Sequence, residues 1–357
     1  MTLPGTRTVT EPVGTHSDAV FPSEEGTPRH YRRDDADKYE VVRYPSLDPA
    51  ARHQTFRHRR ITTLVFARKV CQGSRRSRCR RLRKPAKPYA ESVLVPDDRF
   101  EDYVVDSVVG QGGSATVYRA HHAAEPDRTV ALKVLDEHHR DAIHMDRLQR
   151  EFAFANRLDH PHVVPMYQSG PGWLAMALID GGTVSNLATM RDRLTALADV
   201  ASALDFAHSN GIVHCDVKPT NILVFEDFSR GGAVLIDFGA ARSVAEDARH
   251  RPTHIEASLP YTAPELLHGR TPSAAVDEYA LACTAVELLT GAPPFRSTST
   301  IALMDDHLNR PVPRYSRQID WIPHAFDSIL AKAMAKDPDK RYGTCAEFIA
   351  LITRALK

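Results

Sequence analysis

Two short runs, His214-Cys215-Asp216-Val217-Lys218-Pro219-Thr220-Asn221 and Asp237-Phe238-Gly239, hold the side chains of this chain best suited to chemistry. Asp216 is a carboxylate able to accept a hydroxyl proton. Lys218, two residues on, is a cation able to neutralise a transferring phosphate. Asn221 and Asp237 offer hard oxygen donors of the kind Mg²⁺ takes. A base, a cation and two metal ligands suit phosphoryl transfer, which asks for positioning and charge stabilisation rather than a covalent intermediate.

Elements able to hold a phosphorylated ligand lie upstream. Val108 to Tyr118 reads as strand, Gly-rich turn and strand, and its glycines let backbone N–H groups approach phosphate oxygens with no Cβ in the way. Alone, such a turn is equally an ordinary β-hairpin. Thr129-Val130-Ala131-Leu132-Lys133-Val134-Leu135 is a β-branched run with one Lys inside it, awkward for a half-buried strand. A desolvated Lys needs a carboxylate partner. The segment from Asp141 to Leu158 has helical spacing and contains Glu151.

With these parts in order, the sequence resembles the protein kinase superfamily. That family's motifs read G-x-G-x-x-G-x-V, V-A-I-K, H-R-D-x-x-x-x-N, D-F-G and A-P-E. Gly110, Gly112 and Val117 fit the first, with Ala115 in place of its third Gly. Ala263-Pro264-Glu265 matches the last; Arg341 matches the Arg that pairs with that Glu, and Asp277 the Asp that braces the catalytic loop. His160-Pro161 matches the usual exit of the αC helix, which selects Glu151 as partner of Lys133. The resemblance covers about Phe100 to Leu356 and points to the bacterial, Hanks-type serine/threonine kinases.

The resemblance implies an α+β, two-lobed protein kinase fold: a small β-rich lobe over 92–180 with one helix, and a mainly helical lobe over 181–357. It implies a nucleotide under Val109, Gly110, Gln111, Gly112, Gly113, Ser114, Ala115 and Val117. Ala131 and Leu223 would sandwich the adenine, Met176 would line the back of its pocket, and Ala177 to Ile179 would form the interlobe hinge. Lys133 would hold the α/β-phosphates, oriented by Glu151. Asp237 and Asn221 would hold Mg²⁺, with Mn²⁺ as a stand-in; Asp216 would accept the proton and Lys218 stabilise the γ-phosphoryl. Ala155 and Phe238, with His214, would stack between helix and loops. The implied reaction moves the γ-phosphoryl of ATP to protein Ser/Thr hydroxyls, autophosphorylation included. Lys218 after the base marks Ser/Thr rather than Tyr acceptors, and Ser258 would bond both Asp216 and Lys218. Kinases of this type often dimerise through the back of the small lobe.

One departure has consequences. Cys215 stands where the family usually has an Arg that grips an activation-loop phosphate, and a thiol cannot form that charge-assisted pair. Activity is therefore expected to be insensitive to phosphorylation at Ser243 or Thr253. Two other classes stay open: a pseudokinase that binds nucleotide without turnover, and a small-molecule phosphotransferase. Lys133, Asp216 and Asp237 are all present, against the first; the Lys218-Pro219 step and Ala263-Pro264-Glu265 count against the second.

Composition sets the remaining bounds. The chain has 357 residues, and its five Cys form no C-x-x-C pair, so reduced thiols and a cytoplasmic setting are expected. No run reaches the ~18 apolar residues of a membrane span, and Met1 to Val20 has no signal-peptide core. The near-neutral net charge of +1 hides an asymmetry: 51–90 carries fourteen Arg/Lys and no acid, while 91–357 carries 26 basic and 36 acidic residues. Residues 1–91 read as a disordered, basic extension. Its basic stretch has several readings: a polyanion site for nucleic acid or an anionic surface, an arm folded back on the acidic kinase region, a start codon placed too far upstream, or an idle linker.

Overall fold

The computed structural model describes residues 93–244 and 258–357 throughout, and otherwise only the backbone of 256–257 and of three strands, β1 (Ala19–Phe21), β2 (Arg29–Asp34) and β3 (Lys38–Arg43). These pair antiparallel, and β3 continues onto β14 (Glu256–Ser258). The rest of the extension, including the basic stretch 51–90, lies outside the described residues, as does Thr253.

A six-stranded antiparallel sheet is built from β4 (Arg99–Phe100), β5 (Tyr103–Gln111), β6 (Ala115–His122), β7 (Glu125–Leu135), β8 (Met166–Gly170) and β9 (Trp173–Ala177). Their order is β4-β5-β6-β7-β9-β8. Strand β7 shows why a Lys sits in an apolar run. Side chains alternate faces along a strand, so Val130, Leu132 and Val134 pack on one side with Tyr103, Tyr118 and Trp173. Ala131 and Leu135 pack on the other with Leu148, Leu174 and Met176. Lys133 shares the parity of Ala131 and Leu135, and is thereby aimed at helix α1 (Ala142–Ala155).

Asp141 caps α1 by accepting the backbone N–H groups of Ile143 and His144. Leu148, Glu151, Phe154 and Ala155 are its buried residues, at helical spacing, so the stripe that faces the sheet contains one carboxylate. The helix ends three residues before the Leu158 expected from the spacing, because the chain turns at Asn156.

The helical half packs around α2 (Met190–Ser209), capped by Thr189, and α5 (Ala274–Thr290). Around them lie α3 (Phe228–Gly231), α4 (Pro264–Leu267), α6 (Thr300–Asn309), α7 (His324–Ala333) and α8 (Cys345–Ala355). Helix α5 begins five residues before Tyr279, the start suggested by the apolar run, and ends at Gly291 with φ of 87°. That extra length carries Asp277 and Glu278 into the core. Glu278 accepts the backbone N–H of Tyr342 at 2.9 Å. Burial pushes its carboxyl up to about 7, against the pull of that N–H and of Arg341 and Lys332. Asp205 of α2 accepts the N–H groups of Cys345 and Ala346 at 2.8 and 3.0 Å, tying α8 to α2.

Two short ladders position the chemical loops. Strand β10 (Ile212–Val213) pairs with β13 (Arg242–Ser243), and β11 (Ile222–Val224) with β12 (Ala233–Leu235). The run 214–221 connects β10 to β11, and 236–241 connects β12 to β13. Because Ile222 pairs with Leu235, the residues just beyond the ladder, Asn221 and Ile236, are joined by an N–H···O=C bond of 3.0 Å. The residues singled out in two separate runs are thus brought side by side.

No helix of the described residues is long and apolar enough to cross a membrane. Cys215, Cys283 and Cys345 are buried and none is in a disulfide.

Candidate active site

Lys133 meets Glu151 through both carboxylate oxygens, at 2.8 and 2.7 Å, and lies 3.9 Å from Asp237 Oδ1. Desolvation alone would lower the Lys133 pKa, but the charges of Glu151 and Asp237 outweigh it and hold the ammonium above its usual value. Burial pushes the Glu151 carboxyl upward, opposed by the Lys133 charge. Lys133 keeps a fifth of its side chain exposed while Glu151 is sealed, so the ammonium can still meet a ligand in the cleft.

Asp216 sits at the centre of a second cluster. Ser258 Oγ donates to its Oδ1 at 2.6 Å, and Lys218 Nζ lies 2.9 Å from Oδ2. Lys218 also donates to Ser258 Oγ at 2.7 Å. Asn221 Nδ2 donates to the Asp216 carbonyl at 2.8 Å and to Oδ2 at 3.1 Å. With its amide nitrogen so engaged, Asn221 has its carbonyl oxygen left to serve as a hard metal ligand. Together with the Asp237 carboxylate this donor set suits Mg²⁺ and offers nothing soft that would select another metal.

The loop is held by Asp277, which has no exposed surface. Its Oδ2 accepts the backbone N–H of His214 at 2.8 Å and its Oδ1 that of Cys215 at 2.8 Å. His208 Nε2 lies 2.7 Å from the same Oδ2. His214 is fixed in turn: Nε2 lies 3.0 Å from the Ile236 carbonyl and Nδ1 accepts the Asp216 N–H at 3.3 Å, so the proton belongs on Nε2. Its ring, itself buried, meets Phe238 edge-on, centroids 4.8 Å apart, and Phe238 lies in the large core with Phe154 and Ala155.

Both chemical loops contain a left-handed residue that is not glycine, Cys215 at φ of 65° and Asp237 at 61°. Such conformations are strained for L-residues and persist where the surroundings over-determine them. Asp237 Oδ1 accepts the Gly239 N–H at 3.3 Å. A Cβ on Gly239 would come within 2.8 Å of Arg147 Nε and 3.1 Å of Asp237 Oδ1, so the third residue of the metal loop must be small.

The expected nucleotide residues divide between one apolar cluster and one open turn. Ala131, Ala115, Met176 and Ile179 are buried together, with Val117, Ala177 and Leu223 packed against them. Val109, Gly110, Gln111, Gly112 and Gly113 are exposed, and Ser114 is half-buried. None of the three glycines has a positive φ. Gly112 donates to the Ala115 carbonyl at 2.9 Å, and a Cβ there would meet that oxygen at 3.3 Å, whereas Gly110 has open space. Close approach, rather than backbone conformation, is what glycine provides here.

Farther out, Arg341 forks onto Glu265 at 2.6 and 2.8 Å, donates to the Ala275 and Ala335 carbonyls, and covers the Tyr279 ring at 4.9 Å. Tyr261 donates to Glu287 at 2.6 Å. Ser243 is buried in β13. Residues not singled out from the sequence also take part: Arg147, whose charge acts on both Lys133 and Glu151, and His208. His208 lies 69 residues from Asp277, and no local signal marks it.

A protein kinase domain matches residues 103–350. The sequence is 35% identical over 268 residues to serine/threonine-protein kinase PknH of Mycobacterium tuberculosis, covering 72% of this chain and 42% of that protein. It is 36% identical over 270 residues to PknJ and 37% over 273 to PknE of the same organism, again with 72% of this chain covered. The chain spans less than half the length of these curated relatives, 42–47%. The crystal structure of the Mycobacterium tuberculosis PknI kinase domain is matched over its whole length and 74% of this chain, at 30% identity and a TM-score of 0.57.

Proposed function

The chain belongs to the protein kinase family, and on that premise we propose that it transfers the γ-phosphoryl group of ATP to serine and threonine hydroxyls of proteins, its own included. One observation carries the reading: a serine hydroxyl, Ser258 Oγ, already lies 2.6 Å from Asp216 and 2.7 Å from Lys218. A carboxylate and an ammonium that together hold one serine hydroxyl suit an incoming one.

The roles follow from the contacts. Asp216 orients the acceptor hydroxyl and takes its proton as the O–P bond forms. Lys218 offsets charge on the moving phosphoryl group. Lys133 meets the non-transferring phosphates, kept cationic and aimed by Glu151. Asn221 and Asp237 are the residues to hold Mg²⁺, which supplies charge neutralisation at the phosphate oxygens. The open turn 109–114 lies over the phosphates, and the cluster of Ala131, Met176, Ile179 and Leu223 takes the adenine ring.

The test is ATP-dependent phosphate incorporation by the full chain, into itself and into a basic acceptor protein, with Asp216→Asn as the blank. Incorporation on Ser/Thr that vanishes in the blank supports the reading. Mg²⁺-dependent nucleotide binding without incorporation overturns it in favour of a pseudokinase.

A further inference from the structure

Away from the candidate active site, Asp205 and His208 of α2 meet Cys345, the first residue of α8. One donor atom from each lies within 4.8 Å of the other two. Asp205 and His208 are three residues apart on a helix, so both project from the same face. Cys345 is drawn to that face because Asp205 accepts the N–H groups of Cys345 and Ala346 at 2.8 and 3.0 Å. Each Asp205 oxygen still has a second lone pair to offer.

The imidazole is oriented to bind through Nδ1. The Asp277 carboxylate accepts the backbone N–H groups of His214 and Cys215, so at the 2.7 Å contact His208 Nε2 is the donor. The lone pair of the neutral ring then sits on Nδ1. A histidine that gives one N–H to a carboxylate and offers its other nitrogen is the usual arrangement around a metal ion. Cys345 is 2% exposed, and the charges acting most strongly on its thiol are the carboxylates of Asp205, Asp277 and Glu278. Such surroundings favour a cation. The positive end of α8 opposes one, but its first two N–H groups already face Asp205. Asp205 and His208 are only half-buried, which leaves a path for an ion and a water molecule.

We propose that Asp205, His208 and Cys345 form a zinc site that ties α2 to α8, with water as the fourth ligand. Oxygen, nitrogen and sulfur donors together suit Zn²⁺ rather than Mg²⁺ or Ca²⁺, which take oxygen. Tetrahedral bonds of about 2.0–2.3 Å place donors about 3.3–3.8 Å apart, so the three draw in by about 1 Å, within the reach of side-chain rotation. The thiol proton passes to solvent as the Zn–S bond forms. The site shares no ligand with the Asn221 and Asp237 pair, and it does not depend on the kinase reading.

The test uses the full chain, stripped of metal and titrated with Co²⁺, whose thiolate complexes absorb in the near ultraviolet. The wild type is expected to give a thiolate-to-cobalt band that added Zn²⁺ bleaches. Cys345→Ala leaves every other cysteine in place, so the difference between the two proteins belongs to Cys345. The variant is expected to lack one equivalent of that band and to bind Zn²⁺ at least about a hundredfold more weakly in competition with a chromophoric chelator. Should the Ala variant fail to fold, Cys345→Ser, whose hydroxyl is a poor zinc ligand, decides on the same two readouts. A wild type without the band overturns the proposal. So does a band and zinc affinity that the substitution leaves unchanged, which marks adventitious binding elsewhere.

Discussion

Replacing Glu278 by Gln should stabilise the chain at alkaline pH and change it little in acid. Glu278 is 2% exposed and receives the Tyr342 N–H, an interaction a Gln carbonyl can keep. Its carboxyl is lifted from 4.5 to about 7, first by burial. Below the unfolded value both states hold the proton and nothing is lost. Between 4.5 and 7 the unfolded chain ionises while the folded one resists, so stability falls as pH rises and stays lower above 7. At about 1.4 kcal/mol per pKa unit the full penalty is about 3 kcal/mol; screening by nearby solvent brings it to about 2. Thermal unfolding of wild type and Glu278→Gln between pH 5 and 8.5 measures it. The variant should gain roughly 4–8 °C at pH 8 and far less at pH 5. A gain independent of pH, or a less stable variant at pH 8, would refute the reasoning.

Other perturbations have equally definite outcomes. Asp216→Asn should lower phosphate incorporation by about 10²–10⁴-fold with nucleotide affinity retained, checked by incorporation and by titration with a fluorescent ATP analogue. Lys133→Met leaves Glu151 without its cation and should reduce turnover about 10²–10³-fold; retained turnover would remove Lys133 from the phosphate site. Arg341→Leu strands the Glu265 carboxylate and should cost about 3–5 kcal/mol of stability, read as the loss in denaturation midpoint. Changing Ser243 and Thr253 together to Ala should leave most of the activity in place, because Cys215 carries no charge to grip a phosphate; an inactive double variant would contradict this.

The chemistry was legible where it is local. Asp216, Lys218 and Asn221 lie in one loop, and Asp237 follows β12, which pairs with the strand β11 that starts directly after Asn221, so short-range spacing implies their proximity. Glu151 was legible only through its distance from His160-Pro161, since a lone Glu on a helix is ordinarily a solvated residue. The hidden part consists of polar residues whose burial is decided by distant neighbours. Glu278 sits among charged and small residues that look like a surface turn, yet α5 runs through the core there. His307 resembles a surface histidine in sequence, and only the packing of Phe295, Tyr279 and Lys336 encloses it. In the Gly-rich turn, a Cβ on Gly112 would meet the Ala115 carbonyl oxygen at 3.3 Å while one on Gly110 would meet nothing, a difference that residue type alone does not show.

The Asp277 clamp also has a meaning in time. One carboxylate without exposed surface receives the amides of His214 and Cys215 and the ring of His208. Peeling the loop away alone would strand that charge in the core, at a cost of several kcal/mol, so the loop has no cheap local route to solvent. Its two amides should therefore exchange hydrogen only when α2, α5 and the loop open together, near the rate of global unfolding. The exposed turn 109–113 has no such anchor and should exchange far sooner. The site thus pairs a floor expected to exchange slowly with a roof expected to exchange fast.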